Sequence, residues 1–378
     1  MNYLASERMQ NTADQAAQSA ARALVAGAKA DIQQEAEFIS SQAGFRIEDG
    51  ALVVVNTPPA SGLFKGSASH VEVRIETRQP QYFSSLFGEK PVTVSSRAVA
   101  SFGQGNSTCL VALNSGASKA LNVSGGVQVN LSGCDLQVNS KSLSALAASG
   151  GAVITAKNAS VTGGTSLTGG AKVITSGSYQ LNAAPVSDPL AAIAEPTPSA
   201  CSANKLTTAK PLTLYPGTYC GGLTVQSGGD VYLNPGVYIL DNGGLTVSGG
   251  GKLTGDGVTI FLTSSTGSAF GKVIFSGSSI VKVSAPTSGS TAGLAIFGSR
   301  SMPVGTKFDF SGGANMNIDG FIYAPRAFLN WSGGSSVSTD CTAVIADTVQ
   351  FSGEARFSMD TCHRYGSFAG SASVALVE

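Results

Sequence analysis

Three aspartates near the end of the chain are spaced so that ionisable groups could stand one above another. The intervals between them are 21 and 20 residues, and the set is Asp319, Asp340 and Asp360. Carboxylates stacked in one column repel each other, so they raise one another's pKa or share a cation. Three arginines could serve the same face: Arg326, Arg356 and Arg364. The alternative is that each aspartate forms a turn in a slightly different register.

Histidine-based chemistry has little basis in this sequence. His70 and His363 are the two histidines, and they fall in different parts of the chain. A Ser-His nucleophile or a histidine zinc site would therefore lack partners. No phosphate-binding loop of the Walker type occurs, and no glycine-rich dinucleotide loop stands between a strand and a helix. We predict a non-enzymatic protein with no catalytic, cofactor or metal site.

The six cysteines fall into three sequential pairs. Their separations are 25, 19 and 21 residues, for Cys109/Cys134, Cys201/Cys220 and Cys341/Cys362. If each interval is one turn of a winding chain, the two cysteines lie about 4.8 Å apart on neighbouring strands. A disulfide accepts that separation. We predict three such disulfides and hence an oxidising compartment; three pairs of buried free thiols are the alternative.

A short sequence repeat would position the cysteines and the aspartates. Within 212–250, LTLYPGTYC and GGLTVQSGG are followed by VYLNPGVYILDN and GGLTVSGG, and FDFSGG, LNWSGG and VQFSG continue the rhythm later. A unit this short buries its apolar face only against its neighbours, which is typical of a solenoid. Phe310, Trp331 and Phe351 recur at the same spacing and predict a buried aromatic ladder.

Composition divides the chain near residue 105. Residues 1–105 hold 19 of the 46 charged residues but only 8 of the 47 glycines. We predict an α+β module over 1–105 and a mainly-β parallel β-helix over 106–378. Residues 182–204 carry four prolines, which exclude a central strand. They therefore predict an irregular excursion loop, held by a Cys201–Cys220 bond.

The first module is predicted to be one long helix on a small antiparallel sheet. Residues 2–41 contain no proline and one glycine, and their apolar stripe is mostly alanine. Residues 71–76 alternate between apolar and charged side chains, as in a half-buried strand. Val92–Val94 and Ala98–Phe102 predict further strands. A helix on a small sheet is an α+β arrangement, and it is that of pilins.

The segment RMQNTADQAAQSAARAL, Arg8–Leu24, resembles the signature of TadG-like proteins of Tad (Flp-type) pilus systems. VTVSSRAVASF is similar to the strand that closes such modules, and CLVALNSG, SGCDLQVNS and DPLAAIAEPTPS follow in the family's order. In that family a transmembrane helix directly precedes the signature. The resemblance thus implies that Met1 replaces a deleted membrane anchor. The residues that match the signature are Gln10, Asn11, Ala13, Asp14, Ala16 and Ala17.

This resemblance implies a non-enzymatic, minor pilin-like component that assembles or presents a Tad pilus outside the cytoplasmic membrane. TadE-like and TadF-like pilins and pilus subunits would be its partners, the deleted anchor would reach the inner membrane, and host or surface glycans are further candidate ligands. Docking is assigned to one face of the N-terminal helix, made of Met9, Ala13, Ala16, Ala20 and Leu24. No DxSxS motif occurs, so the metal adhesion site of some relatives does not carry over.

Two other functions stay open. A β-helical carbohydrate-active enzyme would need acidic and basic groups clustered in a groove. A free-standing carbohydrate-binding adhesin would not need the α+β module for assembly. A nucleic-acid partner is not expected, because the net charge is zero and no basic excess occurs.

Overall fold

The computed structural model describes residues 2–25, 31–67, 70–79, 92–102, 108–338, 341–358 and 374–377. The chain divides into two compact units. The first, which we call the helix–sheet unit, combines Met1–Asn106 with Ser371–Glu378. The second, which we call the stack unit, is Ser107–Gly370. Strands dominate the described residues, as the sequence predicts for a mainly-β chain.

Two α-helices, rather than one, begin the helix–sheet unit. α1 spans Asn2–Val25 and α2 spans Ile32–Gln42, and a 3-10 turn follows at Ile47–Asp49. The Ser19 hydroxyl donates a 2.6 Å hydrogen bond to the Glu35 carboxylate. In one straight helix these residues would be about 24 Å apart. The prediction of a single long helix over 2–41 is therefore wrong, because the chain doubles back.

A small antiparallel sheet completes this unit. Its strands are, in spatial order, β1 (Leu52–Asn56), β2 (His70–Gln79), β3 (Val92–Phe102) and β30 (Val374–Leu376). The predicted strands at 71–76 and within 92–102 are confirmed, the latter as one continuous strand. The side chains of Val71, Val73 and Ile75 are fully buried with the small residues of α1. Helices and sheet thus share one core.

The stack unit is inserted in sequence between two paired strands of that sheet. Phe102, at the end of β3, lies opposite Val374, at the start of β30. Opposed residues of an antiparallel ladder are about 5 Å apart. The chain therefore leaves the sheet and re-enters it at almost the same place.

The described strands of the stack unit pair in parallel and form three columns. The first column contains β4 (Thr108–Ala112), β7 (Asp135–Val138), β10 (Ala159–Val161), β13 (Tyr179–Leu181), β14 (Cys201–Thr208), β16 (Gly217–Val225), β18 (Gly236–Asp241), β21 (Val258–Thr263), β24 (Leu294–Gly298), β26 (Asn315–Trp331) and β28 (Thr342–Phe351).

The second column contains β5 (Leu121–Ser124), β8 (Leu146–Ser149), β11 (Thr165–Leu167), β19 (Leu245–Val247), β22 (Val273–Phe275) and β25 (Thr306–Phe310), with the later parts of β14, β16, β26 and β28. The third contains β6 (Gln128–Leu131), β9 (Val153–Ala156), β12 (Lys172–Thr175), β15 (Pro211–Leu214), β17 (Asp230–Leu233), β20 (Lys252–Gly255), β23 (Ile280–Ser284), β27 (Ser336–Ser338), β29 (Arg356–Ser358) and the start of β26.

The repeated Ser-Gly-Gly segments form the corner between the second and third columns. Glycines of successive layers stack there with positive φ, among them Gly125 at +89° and Gly353 at +73°. A Cβ on Gly125 would lie 2.8 Å from the carbonyl oxygen of Gly353. Only glycine combines this left-handed backbone with so close an approach. Glycine in these repeated segments is therefore required by the corner itself.

Apolar residues from the three columns meet in a core that runs through the stack. The predicted aromatic ladder is part of it, with Phe310, Trp331 and Phe351 all fully buried. The ring centroids are 4.8 Å apart between Phe310 and Trp331 and 5.0 Å apart between Trp331 and Phe351. Such spacing is favourable for aromatic pairs. The ladder is thus a core feature.

The layers do not stack in chain order. Along the first column the order is β14, β16, β18, β21, β24, β26, β28, β4, β7, β10, β13. The chain therefore enters in the middle at β4, winds to β13 at one end, restarts at β14 at the other end and returns to the middle. We call the layer β11–β13 end A, the layer β14–β15 end B, and the contact of β28 and β29 with β4–β6 the seam.

Candidate functional site

Residues 182–200 connect the two ends of the stack, and we call them the strap. Ten intervals of about 4.8 Å separate β13 from β14 in the first column, a distance of about 48 Å. Twenty residue steps of at most about 3.3 Å can cover that distance if the segment is nearly extended. The prolines within the strap suit such an extended path. The predicted excursion loop is therefore a lengthwise connection, whereas a local loop would return to the neighbouring layer.

Hydrogen bonds fix the strap at successive layers. The Asn139 side-chain amide donates to the Val186 carbonyl at 2.7 Å, and its oxygen accepts from the Val186 N–H at 3.0 Å. Near the other end, the Ser199 N–H donates to the Thr218 hydroxyl at 2.9 Å. These contacts lie on strands β7 and β16, so they hold both ends of the strap against the first column.

A charged network holds the middle of the strap. The Tyr323 hydroxyl donates to the Asp188 carboxylate at 2.7 Å, and the Arg300 Nε donates to the Tyr323 oxygen at 2.8 Å. Arg300 also donates to the Leu190 carbonyl at 2.6 Å, and its backbone N–H donates to Glu195 at 2.6 Å. Burial, with the hydrogen bond to Asp188, raises the pKa of Tyr323, so the hydroxyl stays protonated and able to donate. The acids and bases here bind the strap to the stack.

An apolar contact accompanies this network. Leu190 is buried in a cluster with Phe261, Phe297, Tyr323 and Ile345 on the outer face of the first column. The Arg300 guanidinium lies 5.5 Å from the centre of the Phe297 ring and 5.2 Å from that of Tyr323, which is cation–π geometry. The first column is thus buried on both faces, by the core on one side and by the strap on the other.

The described cysteines support the disulfide prediction. Cys109–Cys134 and Cys201–Cys220 are bonded, with Cα–Cα distances of 5.8 and 5.6 Å, and each bond joins neighbouring layers. Cys341 is also disulfide-bonded, and its predicted partner Cys362 lies outside the described residues. The Cys201–Cys220 bond holds the chain where the strap enters end B. These bonds are compatible with an oxidising, extracellular location.

Of the three aspartates predicted to stack in one column, only Asp319 lies within the described residues. Asp319 lies at the end of the third-column part of β26, opposite Ser284. Asp340 and Asp360 lie outside the described residues, as does Arg364, so the stacked arrangement stays a prediction. Arg356 lies in β29, whereas the Arg326 guanidinium donates to the Met302 carbonyl at 2.5 Å beside the second column. In the described residues, Arg326 thus contacts a different column from Asp319.

Other carboxylates of the stack stabilise corners and the seam. Asp241, at a corner of β18, accepts hydrogen bonds from the Ser265 N–H at 2.6 Å and hydroxyl at 2.7 Å. Asp347 accepts from the Asn114 amide at 3.0 Å across the seam. Burial raises the pKa of Asp347, although Asn114 and the charge of Arg326 oppose that rise. These acids have local structural partners.

One buried acid in the helix–sheet unit holds a loop. Glu72, which is 2% exposed, accepts hydrogen bonds from Arg97, the Ala60 N–H, the Ser61 hydroxyl and the Asn56 amide. Burial alone would raise its pKa, but these donors together lower the pKa of Glu72 from 4.5 to about 2. The ionised carboxylate therefore ties residues 56–61 to β2 and β3.

The residues assigned to partner docking are occupied within their own unit. Met9, Ala13, Ala16 and Ala20 are fully buried in the core of the helix–sheet unit, and Leu24 packs against the same cluster. Their small size lets α1 approach the sheet and α2 closely. The docking role assigned to them does not fit this arrangement, and an arginine at Ala16 would disrupt the unit itself. A partner would have to contact the exposed side of α1 or another surface.

The outer face of the third column is flat, polar and exposed. Side chains in register along it include Asp230 and Lys252, whose charged groups are 4.0 Å apart. Tyr232 is the exposed aromatic of this face. Repetition of polar groups at the strand spacing gives a surface suited to an extended polymer. Within the described residues, no group of three or more histidine, cysteine, aspartate or glutamate side chains could hold a metal ion.

Sequence reasoning missed the strap network and the double burial beneath it. A signal was present for the burial, because β21, β24 and β28 contain the continuous apolar runs IFL, LAIF and AVIA. Strands buried on both faces read as continuous runs, whereas strands with one solvated face alternate. Nothing local marks Arg300 or Tyr323, because their strap partners are more than 100 residues away.

Comparison with known proteins found no matching family model, no matching curated protein and no matching solved structure. Among the described residues, no helix combines the length and apolar character needed to span a bilayer.

Proposed function

We propose that this chain is a non-enzymatic display protein of a Tad-type pilus, as its resemblance to TadG-like proteins suggests. In this proposal the helix–sheet unit joins the chain to an assembly of pilin-like proteins. The stack unit, which we interpret as a parallel β-helix, is the displayed part. In this proposal the chain lies outside the cytoplasmic membrane, a location with which its disulfides are compatible.

The observation that carries the proposal is the insertion of the stack unit between β3 and β30. Because Phe102 and Val374 are paired neighbours, the helix–sheet unit has a continuous core of its own and carries the stack as an insert. A solenoid wound in chain order would have its two termini at opposite ends. Here both connections leave from layers at the seam, where β28 and β29 meet β4–β6. The stack unit is thus joined in sequence to two paired strands of the helix–sheet unit.

Co-purification tests the proposal. The tagged full chain should co-purify with membrane-anchored pilin-like proteins. A variant with residues 103–373 replaced by Asn-Gly, a two-residue hairpin turn, should retain that association because the turn joins paired strands. If the full chain recovers no pilin-like protein, or if recovery requires the stack unit, the proposed division of roles is wrong.

Carbohydrate binding is a second candidate function, favoured by the exposed face of the third column. Tyr232 offers an aromatic surface beside Asp230 and Lys252. A glycan array with the wild-type chain and a Tyr232→Ala variant tests it. Binding that Tyr232→Ala weakens at least tenfold would support this candidate, and binding unaffected by the change would place the site elsewhere.

A further inference from the structure

The two ends of the stack differ in how they leave the core exposed. In end A the inward-facing side chains of Leu167, Tyr179 and Leu181 are 41%, 38% and 46% exposed. In the layer beneath, the corresponding residues Ala148, Ala159 and Val161 are buried. Three strands of end A therefore present core side chains and free edges, since β11, β12 and β13 each pair on one side only among the described residues.

End B has features that oppose strand addition. In the third column the Lys172 and Lys252 N–H groups donate towards the preceding layer, to Ala152 and Gly229. Pro211 occupies the same column position in end B, where this N–H would point outward, and proline has none. Lys205 and Lys210 flank the same layer. Proline and lysine are the residues that commonly protect strand edges.

End A lacks such protection. The residues 165–181 contain no proline and one charged residue, Lys172. The strap leaves this end within a few residues, because Val186 is already hydrogen-bonded to Asn139, beside β7, two layers beneath β13. A free apolar edge of this kind is a template for pairing with another chain.

The chain itself shows that separately wound layers can join edge to edge. At the seam, β28 pairs with β4 and β5, and β29 pairs with β6, although more than 200 residues separate them in sequence. Parallel strands of three to five residues, with the glycine corner stacked, suffice for this contact. Free strand edges of this stack can therefore pair with strands that are not their neighbours in sequence.

We propose that end A binds end A of a second copy of this chain. Head-to-tail stacking is disfavoured, because it would set Lys172 beside the position of Pro211 and Lys210. A two-fold arrangement instead pairs β12 with β12 of the other copy in antiparallel register. Because the backbone groups of Val173 and Thr175 face the free edge, Val173 lies opposite Thr175 and Lys172 lies opposite Ser176, so the two lysines stay apart. Because the contact uses the same surface on both copies, it closes as a dimer.

Sedimentation analysis of the full oxidised chain over a range of concentrations tests this proposal. The wild-type chain should reach twice its 38.0 kDa mass. Val173→Pro removes an N–H that faces the free edge, because its neighbour Lys172 donates inward. This variant and Leu181→Lys should remain monomeric. Thr213→Pro is the matched control at end B, and it should dimerise like the wild type.

Three results would overturn the proposal: a wild-type monomer at every concentration, a dimer that persists in both end A variants, or association that Thr213→Pro abolishes. The emission of Trp331 shows whether each variant retains the stack core. If an end A variant fails to fold, hydrogen exchange decides instead. Amides in residues 165–181 of the wild-type chain should gain protection with rising concentration, and unchanged protection would refute the dimer.

Discussion

Substitution of the seam glycine offers a direct measure of how closely the two wound halves pack. Gly125 has a φ of +89°, and an added Cβ would lie 2.8 Å from the Gly353 oxygen and 3.4 Å from its nitrogen. Both neighbours are backbone atoms, so they cannot rotate away as a flexible side chain would. Gly125→Ala is therefore expected to destabilise the stack unit.

The magnitude follows from two contributions. An L-residue in the left-handed region costs about 1–2 kcal/mol. Overpacking against a rigid neighbour costs about 1–3 kcal/mol more. Gly125→Ala should thus lower the free energy of unfolding by about 2–5 kcal/mol. Gly151 is the matched control, because its φ is +80° but nothing lies within 4 Å of its Cβ position. Gly151→Ala should cost only the first contribution.

Guanidinium unfolding followed by tryptophan emission measures this difference. The chain has one tryptophan, Trp331, which is fully buried in the stack core and so reports on this unit. With a slope of about 5 kcal/mol per molar, a 2 kcal/mol difference between the variants separates their midpoints by about 0.4 M. Equal midpoints for Gly125→Ala and Gly151→Ala would refute the close packing of the seam.

Three further predictions concern other parts of the chain. The folded-state pKa of Glu72 is about 2, below its ordinary 4.5, so its stabilisation of about 3 kcal/mol is present above pH 4.5 and lost as the pH falls towards 2. Glu72→Gln should remove that pH dependence from the helical circular dichroism signal, and an unchanged acid transition would count against it. A protease site inserted after Ala191 allows the strap to be cut. Both pieces should stay associated in gel filtration under native conditions, because the seam and strap contacts hold them together without the peptide bond. Separation of the pieces would contradict the seam. Non-reducing peptide mapping should recover a Cys341–Cys362 peptide, whereas any other partner for Cys341 would refute the sequential pairing.

The order of the layers explains how the stack unit can be an insert. The last described third-column strand of the stack unit is β29, and it pairs with β6. In the first column, β28 pairs with β4, which is the first described strand of the unit. The layers therefore form one continuous stack. Strand pairing joins them at the seam, and the strap connects the two ends of the stack along the chain. The first described strand of the stack unit, β4, and its last described strands, β28 and β29, therefore lie in adjacent layers.

Local features of the sequence determined the strand repeat, the glycine corners, the aromatic ladder and two of the disulfide pairs. Each depends on residues one turn of the chain apart, so spacing alone reveals it. The alternation at residues 71–76 and the helix-forming composition of residues 2–41 likewise reveal local structure. The break between α1 and α2 was missed although Gly27 and Asp31 are of the residue types that end and begin helices, because the strong helix formers on both sides suggested one continuous helix.

Three features were decided by the tertiary structure alone. They are the order of the layers, the path of the strap, and the packing of the alanine-rich face of α1 against its own sheet and α2. A repeat whose units resemble one another does not reveal which unit lies beside which, since every layer presents similar edges. Glu195 and Arg300 are 105 residues apart, and Asn114 and Asp347 are 233 apart, so no spacing rule connects them. The alanine stripe of α1 likewise predicts close packing but not its partner, because small side chains fit a sheet of the same chain as well as another protein.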